Sequence, residues 1–154
     1  MNKNIIFFLD IDGVLIHSKS PRRPYFTFDT NCVQRLRTAT EKYEALIVIS
    51  SCVRRQDDWK ERTISSFQKA GWDNPPIIGR TPISPENIRG AEIELWLSRQ
   101  LENYDYVIID DEMEDQTLPK QKGKVVKTKG YEGGLQDKHL EEIDNILKIT
   151  KTAY

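Results

Sequence analysis

Five apolar residues in a row, Ile5-Ile6-Phe7-Phe8-Leu9, run directly into Asp10-Ile11-Asp12-Gly13. No other stretch constrains the fold as much. A continuous apolar run of strand length is buried on both faces, as in a parallel sheet. Alternate residues of a strand share a side, so Asp10 and Asp12 are expected to face one site at the strand's carboxyl end. That edge is where open α/β sheets bind ligands. Gly13 then lets the chain turn sharply without a Cβ penalty. The same residues also suit a plain acidic turn, so the rest of the chain has to decide between the two.

Two further apolar runs end in polar clusters. Ala45-Leu46-Ile47-Val48-Ile49 leads into Ser50-Ser51, and Tyr106-Val107-Ile108-Ile109 leads into Asp110-Asp111. Short strands are expected at Ile77-Ile78 and Val125-Val126. Helical spacing of apolar residues lies between the strands. Asp29 and Thr30 offer N-cap oxygens to a helix carrying Val33, Leu36 and Tyr43. Asp57-Asp58 can start a second, through Trp59, Ile64 and Phe67 to a stop near Gly71. A third covers Gly90 to Leu101, with Ile93, Trp96, Leu97 and Leu101 on one face, and Leu140, Ile143 and Leu147 mark a closing helix. Strands alternating with helices imply βαβ units and a mostly parallel sheet.

A chain of 154 residues with no repeat and no low-complexity linker suits a single domain, 1–154. The apolar start is too short for a membrane span or a signal peptide and ends in aspartate. With two cysteines, Cys32 and Cys52, a disulfide scaffold is not expected and a reducing cytoplasm is the default location. A formal net charge of -1 exerts no global pull toward nucleic acid. Cys32 and Cys52 read as small buried residues, His17 and His139 as surface histidines, and the three tryptophans as core.

Parallel strands put all their carboxyl ends on one edge, so Asp10/Asp12, Ser50/Ser51 and Asp110/Asp111 can converge. Carboxylates crowded together repel unless a positive charge sits among them. Mg²⁺, which takes carboxylate and water oxygens, is the economical solution, and phosphate is a natural further ligand. The Ser50 hydroxyl, or Ser51 one register on, could hold a phosphate oxygen. Arg89 at a helix start could hold others, with Arg80 or Lys127 as alternative bases.

These residues resemble the haloacid dehalogenase (HAD) superfamily. Asp10-Ile-Asp12-Gly-Val resembles its first motif, Ser50 after an apolar strand its second, Arg89 its basic third, and Ile-Ile-Asp110-Asp111-Glu-Met-Glu-Asp115 its acidic fourth. I-S-S-x-x-R from Ile49, G-R-T-P from Gly79, R-G-x-E-I from Arg89, and V-K-T followed by G-L at Gly134 are similar to the small HAD domains of Swiss army knife RNA-repair proteins. Val53 departs from that subgroup, where tryptophan is expected. The resemblance implies an α/β, Rossmann-like three-layer sandwich with a mostly parallel central sheet and a minimal or absent cap domain. It further implies a Mg²⁺-dependent phosphatase in which Asp10 attacks phosphorus. Asp12 would protonate the leaving oxygen and then activate water. Asp111, assisted by Asp115 or Asp110, would complete the metal shell with Asp10 and the Asp12 carbonyl.

An uncapped site suits a large phosphorylated substrate. Arg22, Arg23, Arg54 and Arg55 near its expected rim favour an anionic polymer such as a polynucleotide end, whereas the lysine run 120–129 reads as a solvated loop. The alternative is a HAD-like regulatory or nucleic-acid-associated binding module with little turnover. A receiver domain also uses strand-end acids, but its acidic pair comes early and its phospho-acceptor on a middle strand, unlike the early D-x-D and late D-D here.

Overall fold

The computed structural model describes residues 4–19, 26–113 and 115–152. Five parallel strands form one sheet in the order β3-β2-β1-β4-β5. They are β1 (Ile5–Leu9), β2 (Leu46–Ile49), β3 (Ile77–Arg80), β4 (Asp105–Asp110) and β5 (Val125–Lys127). Helices α1 (Thr30–Tyr43), α2 (Trp59–Lys69), α3 (Arg89–Ser98) and α4 (Asp137–Thr152) flank it. The expected α/β, Rossmann-like layering is the observed one. Arg22 and Arg23 lie outside the described residues.

β1 is central and buried at every position, which explains its unbroken apolar run. Its odd-numbered side chains, Phe7 and Leu9, join Leu36 of α1, Phe67 of α2 and Ile143 and Leu147 of α4 in the larger core. Its even-numbered ones, Ile6 and Phe8, join Val48, Ile108 and the α3 residues Ile93 and Trp96 in the smaller. Each fully buried side chain of this size contributes roughly 1.5–3 kcal/mol, so the two cores clamp the sheet from both faces. Strand order reverses between β1 and β4, whose connections leave in opposite directions. The crevice at that point is the expected ligand position.

Local chemistry sets the element ends. Asp29 caps α1 by accepting from Cys32 N at 3.0 Å, as the sequence suggests. Asp58 precedes α2 but makes no side-chain cap bond. A 3-10 turn, Cys52–Arg55, that apolar periodicity does not reveal leads out of β2. α3 starts one residue early and ends at Ser98, leaving Leu101 fully exposed rather than on the apolar face.

Several single-residue expectations are corrected. Cys52 is exposed, and His139 is buried, with its ring nitrogen accepting from Gln136 N. Trp72 and Trp96 are core, while Trp59 is half-buried beneath the Arg80 guanidinium. No helix among the described residues is long and apolar enough to cross a membrane.

Candidate active site

The carboxyl edge of the sheet carries one continuous rank of polar residues. Register pairs Leu9 with both Ile49 and Ile109, Ile49 with Arg80, and Asp110 with Lys127. One residue further on, Asp10 N donates to Ile109 O at 3.0 Å, Ser50 N to Leu9 O at 2.9 Å and Thr81 N to Ile49 O at 3.0 Å. The rank across the five strands is therefore Thr81, Ser50, Asp10, Asp110 and Lys127. Paired residues of a sheet face the same side. This rank shares the parity of Phe8, Val48 and Ile108, so it faces the α3 layer.

Asp10, Asp110 and Asp111 bring carboxylate oxygens within 4.8 Å of one another. Asp10 is 4% exposed and Asp110 fully buried. Burial, reinforced by Asp110, holds the Asp10 carboxyl well above the usual carboxylate range, although Arg89 opposes the shift. Asp111 is raised as well, chiefly by burial. The Asp10 and Asp111 carboxylates stand close enough that both can be ionised only at a cost, which a proton or a cation between them relieves. Oxygen-only donors of this charge fit a hard divalent ion. Gly13 makes the approach possible: its φ is +80°, and a Cβ there would lie 2.1 Å from Asp111 Oδ2.

Arg89, in the first turn of α3, reaches over this group. One guanidinium nitrogen lies 2.6 Å from Asp110 Oδ2 and 3.6 Å from Asp10 Oδ1. Burial alone would weaken its charge, but Asp110 and Asp10 more than offset this and its pKa rises. Asp110 spends its other oxygen on Glu112 N at 2.9 Å, so it orients Arg89 rather than facing solvent. Gly90 then brings α3 close. Its N–H donates to Gln116 O at 2.9 Å, and a Cβ there would stand 2.2 Å from that oxygen.

Arg54 binds the neighbouring segments together. It donates to Ser50 O, Ser51 O and Thr81 O, and to Glu92 Oε1 at 2.8 Å, while Glu92 Oε2 accepts from Ser84 N. Arg54 and Glu92 side chains are 2% and 3% exposed. Arg54 is thus a buried brace, not the rim cation the sequence suggests. Arg55 is exposed and donates to Asn87.

The remaining expected site residues separate. Ser50 is fully buried and its hydroxyl has no hydrogen-bond partner; Ser51 is also buried. Asp12 is exposed and bridges to Ile16. β1 ends at Leu9, so strand alternation does not bring its side chain beside Asp10. Asp115 is exposed and outside the carboxylate group. Arg80 donates to Arg54 O from the other side of the rank, and Lys127 is half-buried at its far end. The sequence places Arg54 at the rim but does not reveal its pairing with Glu92 or the position of Thr81 in the rank. Their signals were the threonine of G-R-T-P and the paired arginine and glutamate of I-S-S-x-x-R and R-G-x-E-I.

A second group of ligand types, His17, Asp29 and Cys32, lies nearby in the chain. His17 Nε2 sits 3.1 Å from Asp29 and its Nδ1 accepts from Lys19 N. Burial pushes the Cys32 thiol up to about 12. With both ring nitrogens engaged and the thiol protonated, this group braces the first loop against α1.

The sequence model of the family described as the HAD domain in Swiss Army Knife RNA repair proteins matches residues 6–140. No match is found among curated proteins or solved structures.

Proposed function

The chain belongs to the family of HAD domains in Swiss Army Knife RNA repair proteins, and from that premise we propose that it is a Mg²⁺-dependent phosphomonoesterase acting through an aspartyl-phosphate on Asp10. The observation that carries this reading is the rank at the carboxyl edge. It sets a buried carboxylate beside a guanidinium and an unpartnered hydroxyl, at the point where strand order reverses.

Asp10, Asp111 and the Asp12 carbonyl would hold the metal, with Asp115 as a further candidate ligand. The ion, when bound, neutralises charge between carboxylate and phosphate. Asp10 attacks phosphorus, forming an acyl-phosphate and expelling the alcohol oxygen. Asp12, exposed and able to reach solvent, protonates that oxygen and then takes a proton from the water that attacks phosphorus and frees Asp10. Arg89 stabilises the charge developing on the phosphoryl oxygens, with Asp110 fixing its direction in advance. Ser50 donates to one of those oxygens. Uncatalysed monoester hydrolysis is extremely slow, so nucleophile and cation are both required.

The favoured substrate class is a polynucleotide phosphate end. Its support is the family's description and the exposed Arg55. A panel of 3′- and 5′-phosphorylated oligonucleotides, mononucleotides, phosphopeptides and sugar phosphates, assayed with Mg²⁺, tests both levels. Release of phosphate from oligonucleotide ends in preference to the others is expected. Preference for a small sugar phosphate would remove the polymer reading, and no release from any substrate would remove the enzyme reading.

A further inference from the structure

Ser50 is not alone in its isolation. Among the described residues, the buried side-chain polar atoms without a hydrogen-bond partner are Ser50 Oγ and Thr81 Oγ1. Thr81 is 1% exposed. A hydroxyl shut away from water and unpaired is costly to keep, and two of them stand on adjacent strand ends.

Their placement gives them a common use. Thr81 N continues the β3 ladder onto Ile49 O, just as Ser50 N continues β2 onto Leu9 O. Two residues earlier, a Cβ on Gly79 would meet the Trp96 indole of α3 at 3.7 Å. Strand alternation therefore carries Thr81 to the α3 side, the side of Ser50, Asp10 and Arg89. Adjacent strands lie about 4.8 Å apart. By this register, a phosphoryl group seated on Ser50 would have the Asp10 strand on one flank and the Thr81 strand on the other. Arg54 grips the Ser50 and Thr81 carbonyls at 2.9 and 3.2 Å, so the two donors are held in fixed relation before any ligand arrives.

We propose that Thr81 is a second hydroxyl ligand of the phosphoryl group, paired with Ser50 in a two-hydroxyl cradle. This rests on the phosphohydrolase reading of the site. The hydroxyl adds a donor to anionic oxygen without adding charge. It gives the G-R-T-P segment a role in binding that the nucleophile, acid and base do not fill.

The experiment is calorimetric titration of the full chain with inorganic phosphate in MgCl₂, comparing wild type with Thr81→Val, Thr81→Ser and Ser50→Ala, alongside their thermal unfolding. Valine keeps the shape and removes an unpaired group, so Thr81→Val should unfold no lower than wild type yet bind phosphate about tenfold more weakly. Thr81→Ser should bind within about twofold of wild type. Unchanged phosphate affinity in Thr81→Val overturns the inference whatever its unfolding temperature, and so does loss of affinity in Thr81→Ser. If Ser50→Ala loses affinity while Thr81→Val keeps it, the inference alone falls. If wild type binds no phosphate and hydrolyses no monoester, the reading beneath it falls too.

Discussion

Asp10 is where the chemistry and the cost of the site meet. A carboxyl whose pKa is raised on folding binds its proton more tightly when folded. Stability is therefore lost as pH rises from the ordinary carboxylate range through the raised value, and the penalty is complete above it. Burial and Asp110 place Asp10 in this class. Asp10→Asn removes the penalty while leaving Arg89 its 2.6 Å contact with Asp110. At neutral pH without divalent cation, the variant should unfold at a higher temperature than wild type, and the gap should close as pH falls. Its phosphatase activity should drop by at least about a thousandfold. Equal unfolding temperatures at neutral pH would show that the carboxylate carries no such burden. This residue was legible because aspartate directly after an apolar run sets a charge at the mouth of a buried strand, where it has to be paired or put to use. The alternation that places Asp12 beside Asp10 in the sequence fails, because β1 ends at Leu9 and Asp12 is exposed, so its proposed role rests on the motif alone.

At the scale of elements, α3 and the segments after β2 and β3 form one unit, fastened by Arg54 and Glu92. Removing one partner of a buried ion pair leaves the other charge uncompensated, at about 3–5 kcal/mol. Glu92→Gln should cost about 3 kcal/mol in chemical denaturation, being the gentler end of that change. Glu41→Gln, which breaks an exposed pair with Arg37 one helical turn away, should cost at most about 0.5 kcal/mol. Similar costs for the two would deny Arg54–Glu92 its role as a brace. The strands and helices themselves were readable from apolar period alone, to within a few residues. What period could not supply was the 3-10 turn after β2 or the burial of Arg54. An arginine among polar neighbours reads as surface until its carbonyl and carboxylate partners, distant in sequence, are in place. Leu101 misled for the opposite reason, continuing a helical stripe past the point where α3 stops.

For the whole molecule, topology does the gathering. Strand order β3-β2-β1-β4-β5 brings residues 10, 50, 81, 110 and 127 onto one edge, and parallel connection is what let the sequence foretell that the strand-end acids meet. It did not foretell that Asp110 would turn to Arg89, leaving Asp10 and Asp111 as the close pair. That pair should make the fold sensitive to cations. Millimolar MgCl₂ should raise the unfolding temperature of wild type, with a smaller rise in Asp111→Asn, and chelation should reverse it. No shift in wild type would contradict a cation between these carboxylates. The central claim is that Asp10 itself becomes phosphorylated. Wild type and Asp12→Asn are mixed with a labelled aryl phosphate in MgCl₂ and quenched in acid, and the label is located by peptide mapping. Phosphate should be found on the peptide carrying Asp10, released by hydroxylamine and more abundant in Asp12→Asn, where water activation is lost. Hydroxylamine-stable phosphate on Ser50, or wild-type turnover in Asp10→Asn, would contradict it.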